Sequence, residues 1–210
     1  MMLSSRYKEM IGQVLAMLNR MPPSAGMAGV FARTDQSTDV FKAPENPNIA
    51  SVVRSAVDIS ASEQEDLNVP LDGKAINAIR NFACQGLLVW GARTLGENSQ
   101  DWRCINVRRT MIMLEQSIKY AVQAYVFEPN VASTWHTVRV MIEYFLNNQW
   151  KAGALAGATP ENAYDVAVGL GSTMTGQDVL DGYINITIKV AITRSAEFIA
   201  LTFQQKMQTS

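Results

Sequence analysis

The side chains best suited to chemistry in this 210-residue chain are one histidine, His136, two cysteines, Cys84 and Cys104, and a scatter of carboxylates. A zinc site needs three or four His, Cys or carboxylate ligands at workable spacing, and one histidine with two distant cysteines has no such spacing. A Cys–His nucleophile pair needs an element that brings thiol and imidazole together, and nothing near either cysteine suggests one. His136 therefore reads as a surface histidine in the first turn of a helix. With only two cysteines a disulfide framework is not the design, and both are expected to be buried free thiols in a reducing compartment. Gly73-Lys74 lacks the upstream glycine and the following hydroxyl of a phosphate loop, since Ala75 stands where Ser or Thr should be. "GMAG" and "GLGSTMTG" lack the strand–turn–helix setting of a dinucleotide site. Asp165, Asp178 and Asp181 form no metal signature, and Gly182 after Asp181 reads as a turn. Glu63 and Glu65 belong to a solvated acidic turn. Trp90, Trp102, Trp135 and Trp150 are expected to anchor core and interface rather than form a sugar platform. No enzyme activity and no cofactor is expected.

Composition narrows the class further. The chain is 48% hydrophobic and 18% charged, enough to bury a core. Its net charge of -1 excludes a nucleic-acid binder that works through bulk charge. No run approaches the roughly 20 apolar residues of a membrane span, so direct membrane insertion is not expected. The N-terminal segment places Arg6, Lys8 and Glu9 where an export signal would have a continuous apolar centre.

The elements that would position any site follow from periodicity. Residues Leu3 to Arg20 carry Tyr7, Met10, Ile11, Val14, Leu15 and Leu18 at helical spacing, and Pro22-Pro23 ends the run. A second, small-residue helix follows from Ser24, with Gly26 and Gly29 allowing close packing. "SVVRSAVDIS" is β-branched and predicts a strand. An acidic helical turn lies in "SASEQEDLNVPLDG". "KAINAIRNF" and "GLLVWGARTL" predict two strands round the tight connection "ACQG".

Asn106 should cap a long helix that buries Val107, Met111, Leu114, Ile118, Ala121, Val122 and Tyr125 and ends at Pro129. A second long helix, capped at Ser133 or Thr134, should bury Trp135, Val138, Ile142, Phe145 and Leu146 and end at Gly153. "NAYDVAVG" is a short strand, "TMTGQDVLDG" a capped turn or short helix, and "YINITIKVAIT" alternates apolar and polar residues as a half-buried strand. "AEFIALTFQQKM" alternates again, with Ile199, Leu201 and Phe203 on one side. The fold class expected is α+β, a mixed sheet packed against a layer of two long helices, and the terminal strand can pair either within its own sheet or with the edge of a neighbour's.

Several stretches together resemble the C-terminal core of contractile tail sheath proteins, found in phage tails, phage-tail-like bacteriocins and extracellular contractile injection systems. They are "PPSAGMAGVFARTD" from Pro22, "FKAPEN" from Phe41, "LNVPLDGKAINAIR" from Leu67 and "GLLVWGARTLGENSQDWRCINVRR" from Gly86. "VFEPN" from Val126, "TWHTVRVMIEYFLNNQWKAGALAGATPENAYDV" from Thr134 and "AEFIALTFQQKM" from Ala196 continue the match in order. The resemblance implies a structural subunit that stacks as hexameric rings, six per ring, into a helical sleeve round an inner tube. The sleeve contracts and drives the tube through a target membrane. Implied partners are other sheath subunits, the inner tube protein, and baseplate and tail-terminator proteins. Assembly would occur in the bacterial cytoplasm, with the particle released in some systems. A sheath-like baseplate or tail-terminator ring protein is the alternative.

On this resemblance residues 1–195 form a single sheath core and 196–210 the strand arm, in which Glu197, Phe198, Ile199, Ala200, Leu201, Thr202 and Phe203 would add to a neighbour's sheet. Thr193, Arg194 and Ser195 are the expected hinge. Arg139, Glu143, Asn147, Asn148 and Lys151 are the candidate inner-tube contact, and Arg108 and Arg109 the candidate inter-subunit charges. Sheath proteins carry a long region ahead of the "PPSAG" stretch, including an N-terminal arm. Here that stretch begins at Pro22, so the chain is a candidate fragment of a longer sheath protein.

Overall fold

The computed structural model describes residues 4–44, 47–68, 74–96 and 99–195. The chain divides into two compact units, Met1–Arg108 and Arg109–Ser210. The first holds helices α1 (Ser5–Leu18), α2 (Ser24–Ser37) and α3 (Ala61–Asn68), strands β1 (Ala78–Phe82) and β2 (Gly86–Trp90), and the start of α4 (Ile105–Val122). The second holds the rest of α4, then α5 (Ala132–Lys151), α6 (Pro160–Ala163), β3 (Tyr164–Val168), α7 (Gly176–Leu180) and β4 (Ile186–Val190).

In the first unit the predicted helix ending before Pro22-Pro23 forms as α1, yet none of its residues is buried. Its apolar stripe lies open to solvent. α2 buries Val30 against Ile49 and Val89. Gly26 makes that approach possible, because a Cβ there would stand 3.1 Å from the Ile49 Cγ2. Gly29 faces open space and does not share this role.

β1 and β2 pair antiparallel from Ala78↔Trp90 to Phe82↔Gly86 round the turn that "ACQG" predicted. Beyond β2 the ladder continues through a side chain. Asn77 accepts from the Arg93 N–H at 2.8 Å and donates to the Arg93 carbonyl at 2.8 Å. Gly91 is required there, since a Cβ would stand 2.8 Å from the Asn77 Oδ1 and its φ is +130°.

Two expectations about secondary structure fail in this unit. "SVVRSAVDIS" is not a strand: Val53 is 96% exposed and no described strand pairs with it. Its β-branched residues lack a strict period-2 pattern, so no single face could be buried. Asn106 does not cap α4, which begins one residue earlier. It is buried and donates to the Phe41 carbonyl at 3.1 Å, a tertiary tie across 65 positions. A short amide that can reach another segment is worth more inside than at the helix end.

In the second unit one core organises everything. Leu114 of α4, Val138, Ile142 and Leu146 of α5, Leu155 of the segment after it, Ala163 of α6 and Val166 of β3 form a buried cluster, and Ile186, Ile188, Val190 and Ile192 pack on it. β3 and β4 are antiparallel, from Tyr164↔Val190 to Val168↔Ile186, so the alternation of "YINITIKVAIT" places isoleucines inward and Thr187 and Lys189 outward. The Lys189 ammonium lies 3.6 Å from the opposite Asp165 carboxylate.

α5 ends as Gly153 predicts. The Gly153 N–H donates to the Trp150 carbonyl and the Ala154 N–H to the Gln149 carbonyl, with Gly153 at φ +91°. This paired closure satisfies carbonyls that would otherwise be unpaired. An α+β fold is present, and two long helices do share a core with strands. Where one mixed sheet was expected, however, the described strands form two separate two-stranded antiparallel sheets.

Leu146 is fully buried at the centre of the second core. Leu146→Ala should cost about 2–5 kcal/mol, read as a lower denaturation midpoint at unchanged denaturant slope.

Candidate functional site

The polar groups singled out for chemistry are spent on local structure. Asp178 forms a capping box with Thr175: its carboxylate accepts from the Thr175 N–H and Oγ1–H, each at 2.7 Å. The Thr175 backbone N–H first, and its hydroxyl second, hold the Asp178 carboxyl below its ordinary value of 3.8. Glu63 does the same at the start of α3, accepting from Ser60 N–H at 2.8 Å and Ser60 Oγ at 2.7 Å. Asp181 accepts from Gln177 Nε2 at 2.8 Å. Gly169 ends "AVG" in a turn whose carbonyl takes the N–H groups of Ser172, Thr173 and Met174.

His136 is exposed on α5. Cys104 is buried as expected, but Cys84 is exposed at the tip of the β1–β2 turn with φ +64°, which corrects the reading of two buried thiols. A hairpin tip has no core to receive it. Among the described residues no group of three or more His, Cys, Asp or Glu could hold a metal ion, and no helix is long and apolar enough to cross a membrane.

What remains is surface. On α5, Arg139, Glu143, Asn147 and Lys151 follow one another at four-residue spacing along a single stripe, with Asn148 beside it. This stripe borders the buried Val138–Ile142–Leu146 row, and Glu143 and Asn147 are half-buried. Arg139 and Glu143 bind each other, Nε to Oε1 at 2.7 Å. Asn148 and Lys151 are exposed. Arg108 stacks its guanidinium over Trp102, 5.1 Å from the ring centre, while Arg109 is half-buried.

Thr193 is tied down rather than loose. Its N–H donates to the Ala154 carbonyl at 3.0 Å and its hydroxyl to the Gly153 carbonyl at 2.9 Å, at the end of α5. Arg194 and Ser195 follow this anchor. The arm residues Glu197 to Phe203 lie outside the described residues.

Two features escaped sequence reasoning. An open groove of about 540 Å3 runs beside β4, between Leu114, Ile118 and Val122 of α4 and Ile184, Ile186 and Ile188, with Glu115 and Lys119 also lining it. The other is Asn130, last residue of "VFEPN". Its Nδ2 donates to the carbonyls of Val179 at 3.3 Å and Tyr183 at 3.1 Å, and its Oδ1 accepts the Trp135 indole N–H at 2.7 Å. One side chain thus joins the α4–α5 turn, the first turn of α5 and the end of α7. An Asn after Pro signals a turn, but nothing local points to partners 49 and 53 positions away.

The described residues thus present surfaces, and comparison with known proteins gives them a context. The sequence family described as "Phage tail sheath C-terminal domain" matches residues 97–206. The chain belongs to this tail sheath family. It is a family of structural proteins, not of enzymes.

Among relatives, the tail sheath protein of Vibrio phage KVP40 is 30% identical over 190 residues, which are 88% of this chain and 26% of that protein. The tail sheath protein of Enterobacteria phage T4 is 25% identical over 186 residues. Among solved structures, a chain in the contracted sheath complex of PVC, an extracellular contractile injection system, matches with a TM-score of 0.83 at 42% identity. The match covers 89% of this chain and 51% of that one. A chain in the six-fold symmetrised baseplate of the anti-feeding prophage matches with a TM-score of 0.82 at 44% identity, again over 89% and 51%. The sheath domain described here thus spans about a quarter of the phage proteins and half of the injection-system chains.

Two outcomes test how the sheath domain holds its loops. Asn130→Ala removes three hydrogen bonds and should cost about 1–3 kcal/mol. Hydrogen exchange should quicken at Val179 to Tyr183 before the core opens. A depressed carboxyl contributes stability above its unfolded pKa and loses it as pH falls through the folded value. The melting-temperature gap between wild type and Asp178→Asn should therefore be constant near neutrality and shrink on acidification below 3.8.

Proposed function

We propose that the protein is the structural subunit of a contractile sheath, stacked as rings of six round an inner tube and shortening to drive that tube through a target membrane. The observation that carries this reading is the likeness, at 42% identity, to a subunit of a sheath complex solved in its contracted state. The subunits assemble in the bacterial cytoplasm and become part of a phage tail or phage-tail-like particle.

Residues 1–195 act as the core and 196–210 as an arm. Two features support arm exchange. β4 has β3 on one side only among the described residues, so its other edge can accept a strand. The groove beside that edge is lined by Ile184, Ile186 and Ile188, and the period-2 set Ile199, Leu201 and Phe203 of a neighbour's arm has the matching spacing. The Thr193 anchor at the end of α5 supports a pivot at Arg194 and Ser195, immediately before the arm. Main-chain bonds in a shared sheet would keep subunits linked while their cores move as rigid bodies.

Arg139, Glu143, Asn147, Asn148 and Lys151 form the contact with the inner tube. A polar stripe with its own internal ion pair grips weakly, as a contact that must release on firing requires. Arg108 and Arg109 bridge subunits, Arg108 with its guanidinium held by Trp102.

A second reading is favoured by the likeness to a chain in a baseplate assembly. In it the protein is a sheath-like ring at the baseplate or tail terminus, and it forms rings without long tubes.

Electron microscopy of the protein made from its complete gene separates the two. Striated hollow tubes are expected. Uniform rings alone would favour the second reading, and monomers alone would sink both. Ending the chain after Ser195 should abolish tubes while leaving the melting temperature of the core within a few degrees.

A further inference from the structure

The two edges of β4 are not alike. Ala191, the residue after it, gives its N–H to the Ala163 carbonyl at 2.8 Å and accepts the Ala156 N–H at 2.7 Å, and the Thr193 N–H goes to the Ala154 carbonyl. Main-chain groups alternate sides along an antiparallel strand. The odd-numbered residues of β4 therefore direct theirs to β3, and those of Ile186, Ile188 and Val190 face the other edge. Among the described residues no strand pairs there. The side chains of the same three residues are only half-buried, and they line the groove of about 540 Å3 against Leu114, Ile118 and Val122 of α4. One edge thus presents main-chain groups and an apolar wall together, the combination that invites a further strand.

The sequence just beyond fits this edge in one register. β4 leads through Ile192 into Thr193, whose N–H and hydroxyl are both held at the end of α5. A four-residue turn of Thr193, Arg194, Ser195 and Ala196, a common hairpin length, sets Ile192 opposite Glu197. Period-2 pairing then sets Val190 against Ile199, Ile188 against Leu201 and Ile186 against Phe203. All three apolar side chains fall on the inward face, over the groove. Ile192 does not line it, so Glu197 falls beyond its end. Ala200 and Thr202 fall outward, opposite the exposed Lys189 and Thr187. A slip of one residue would turn Phe198, Ala200 and Thr202 inward instead and lose the match.

We infer that, before assembly, this groove is filled by the same chain's own residues 197–203, which lie outside the described residues. They form a hairpin that caps the β4 edge and must open before the segment can be given to a neighbour. The inference rests on the proposed reading of 196–210 as an exchanged arm and adds the regulation of that arm. A tether of four residues holds the segment at an effective concentration on the order of millimolar, so in more dilute protein the own segment outcompetes a neighbour's for the same groove. Own and exchanged pairings use the same main-chain bonds, so exchange costs little once other contacts hold two subunits side by side. The turn Thr193 to Ala196 contains neither Gly nor Asn, the residues that favour tight turns, which keeps the closed form easy to open. Until then the cap hides an apolar strand edge that would otherwise pair indiscriminately.

Thr187→Cys with Thr202→Cys, in a Cys84→Ser background, pairs two outward positions that this register sets directly opposite, at a site without main-chain bonds where side chains stand closest. In the complete gene product, diluted until sedimentation shows monomers, mild oxidation should close this disulfide within one chain at a rate independent of concentration. Thr187→Cys with Ala200→Cys, one register step away, should close more slowly. Hydrogen exchange of the monomer should find the Ile186, Ile188 and Val190 amides protected. Leu201→Asp should remove that protection and leave the melting temperature of the core within a few degrees. The locked chain should build no tubes until a reductant opens it, after which tubes form as in wild type. Disulfides only between chains, no protection at these three amides, protection that survives Leu201→Asp, or tubes from the locked chain would each overturn the inference. Absence of tubes from locked, reduced and wild-type chains alike would count against the sheath reading instead, and the disulfide and exchange results would still decide the hairpin.

Discussion

The packing of one face of α5 against a two-stranded sheet is the constraint on which the second unit depends. Val138, Ile142 and Leu146 are spaced four apart, are essentially without solvent contact, and meet Val166 of β3 in one cluster. A two-stranded hairpin alone is marginal in water. It becomes stable here because its inward side chains close on a helix that is itself too apolar on one side to stand free. Everything polar on α5 is thereby pushed to the flank or the back of the helix, and Arg139, Glu143, Asn147 and Lys151 are where they are because Val138, Ile142 and Leu146 are buried.

That core is then locked by small polar devices. Gly153 turns the chain at the end of α5 by adopting a left-handed backbone, and the next residues reach the segment after β4: Ala156 donates to the Ala191 carbonyl and Thr193 returns two bonds to Gly153 and Ala154. Gly182 closes α7 in the same paired fashion, with its N–H on the Val179 carbonyl and that of Tyr183 on the Asp178 carbonyl. Asn130 then ties this corner to the start of α5. Each device consumes a group that might otherwise have been read as chemistry. The carboxylates of Asp178 and Glu63 are acceptors for backbone amides, so their low proton affinity reports capping and not catalysis.

How much of this was legible depended on the range of the interaction. Period and turn signals are local, so the course of α5, the β1–β2 turn, the alternation of β4 and a capped turn at Thr175 could be read from a few neighbouring residues, but the cap expected at Ser133 or Thr134 failed: α5 starts at Ala132 behind Val131, with no side-chain cap. "SVVRSAVDIS" misled because β-branched content favours a strand only where a partner and a buried face exist, and neither is encoded within those ten residues. Asn106 misled because its side chain is used by Phe41, 65 positions away. Two short antiparallel sheets in place of one mixed sheet likewise follow from pairings that periodicity does not specify. The polar stripe of α5 was visible in the spacing of its residues. The arm could be read as an alternating segment, but its use rested on family resemblance.

The same economy bears on what such a subunit must do. A subunit that has to hold its neighbours through a large movement cannot rely on one extensive buried interface, because that would have to be broken to move. Separating functions onto small surfaces avoids this. Among the described residues β4 is paired on one side only, and on the proposed reading its other edge offers directional main-chain bonds whose strength is indifferent to side-chain detail. In the α5 stripe Arg139 and Glu143 satisfy each other, so on the proposed reading of this stripe as a contact, release of a partner would leave little uncompensated charge. Tight packing at Leu146 and a self-satisfied ion pair one helical face away are then two consequences of a single arrangement of α5.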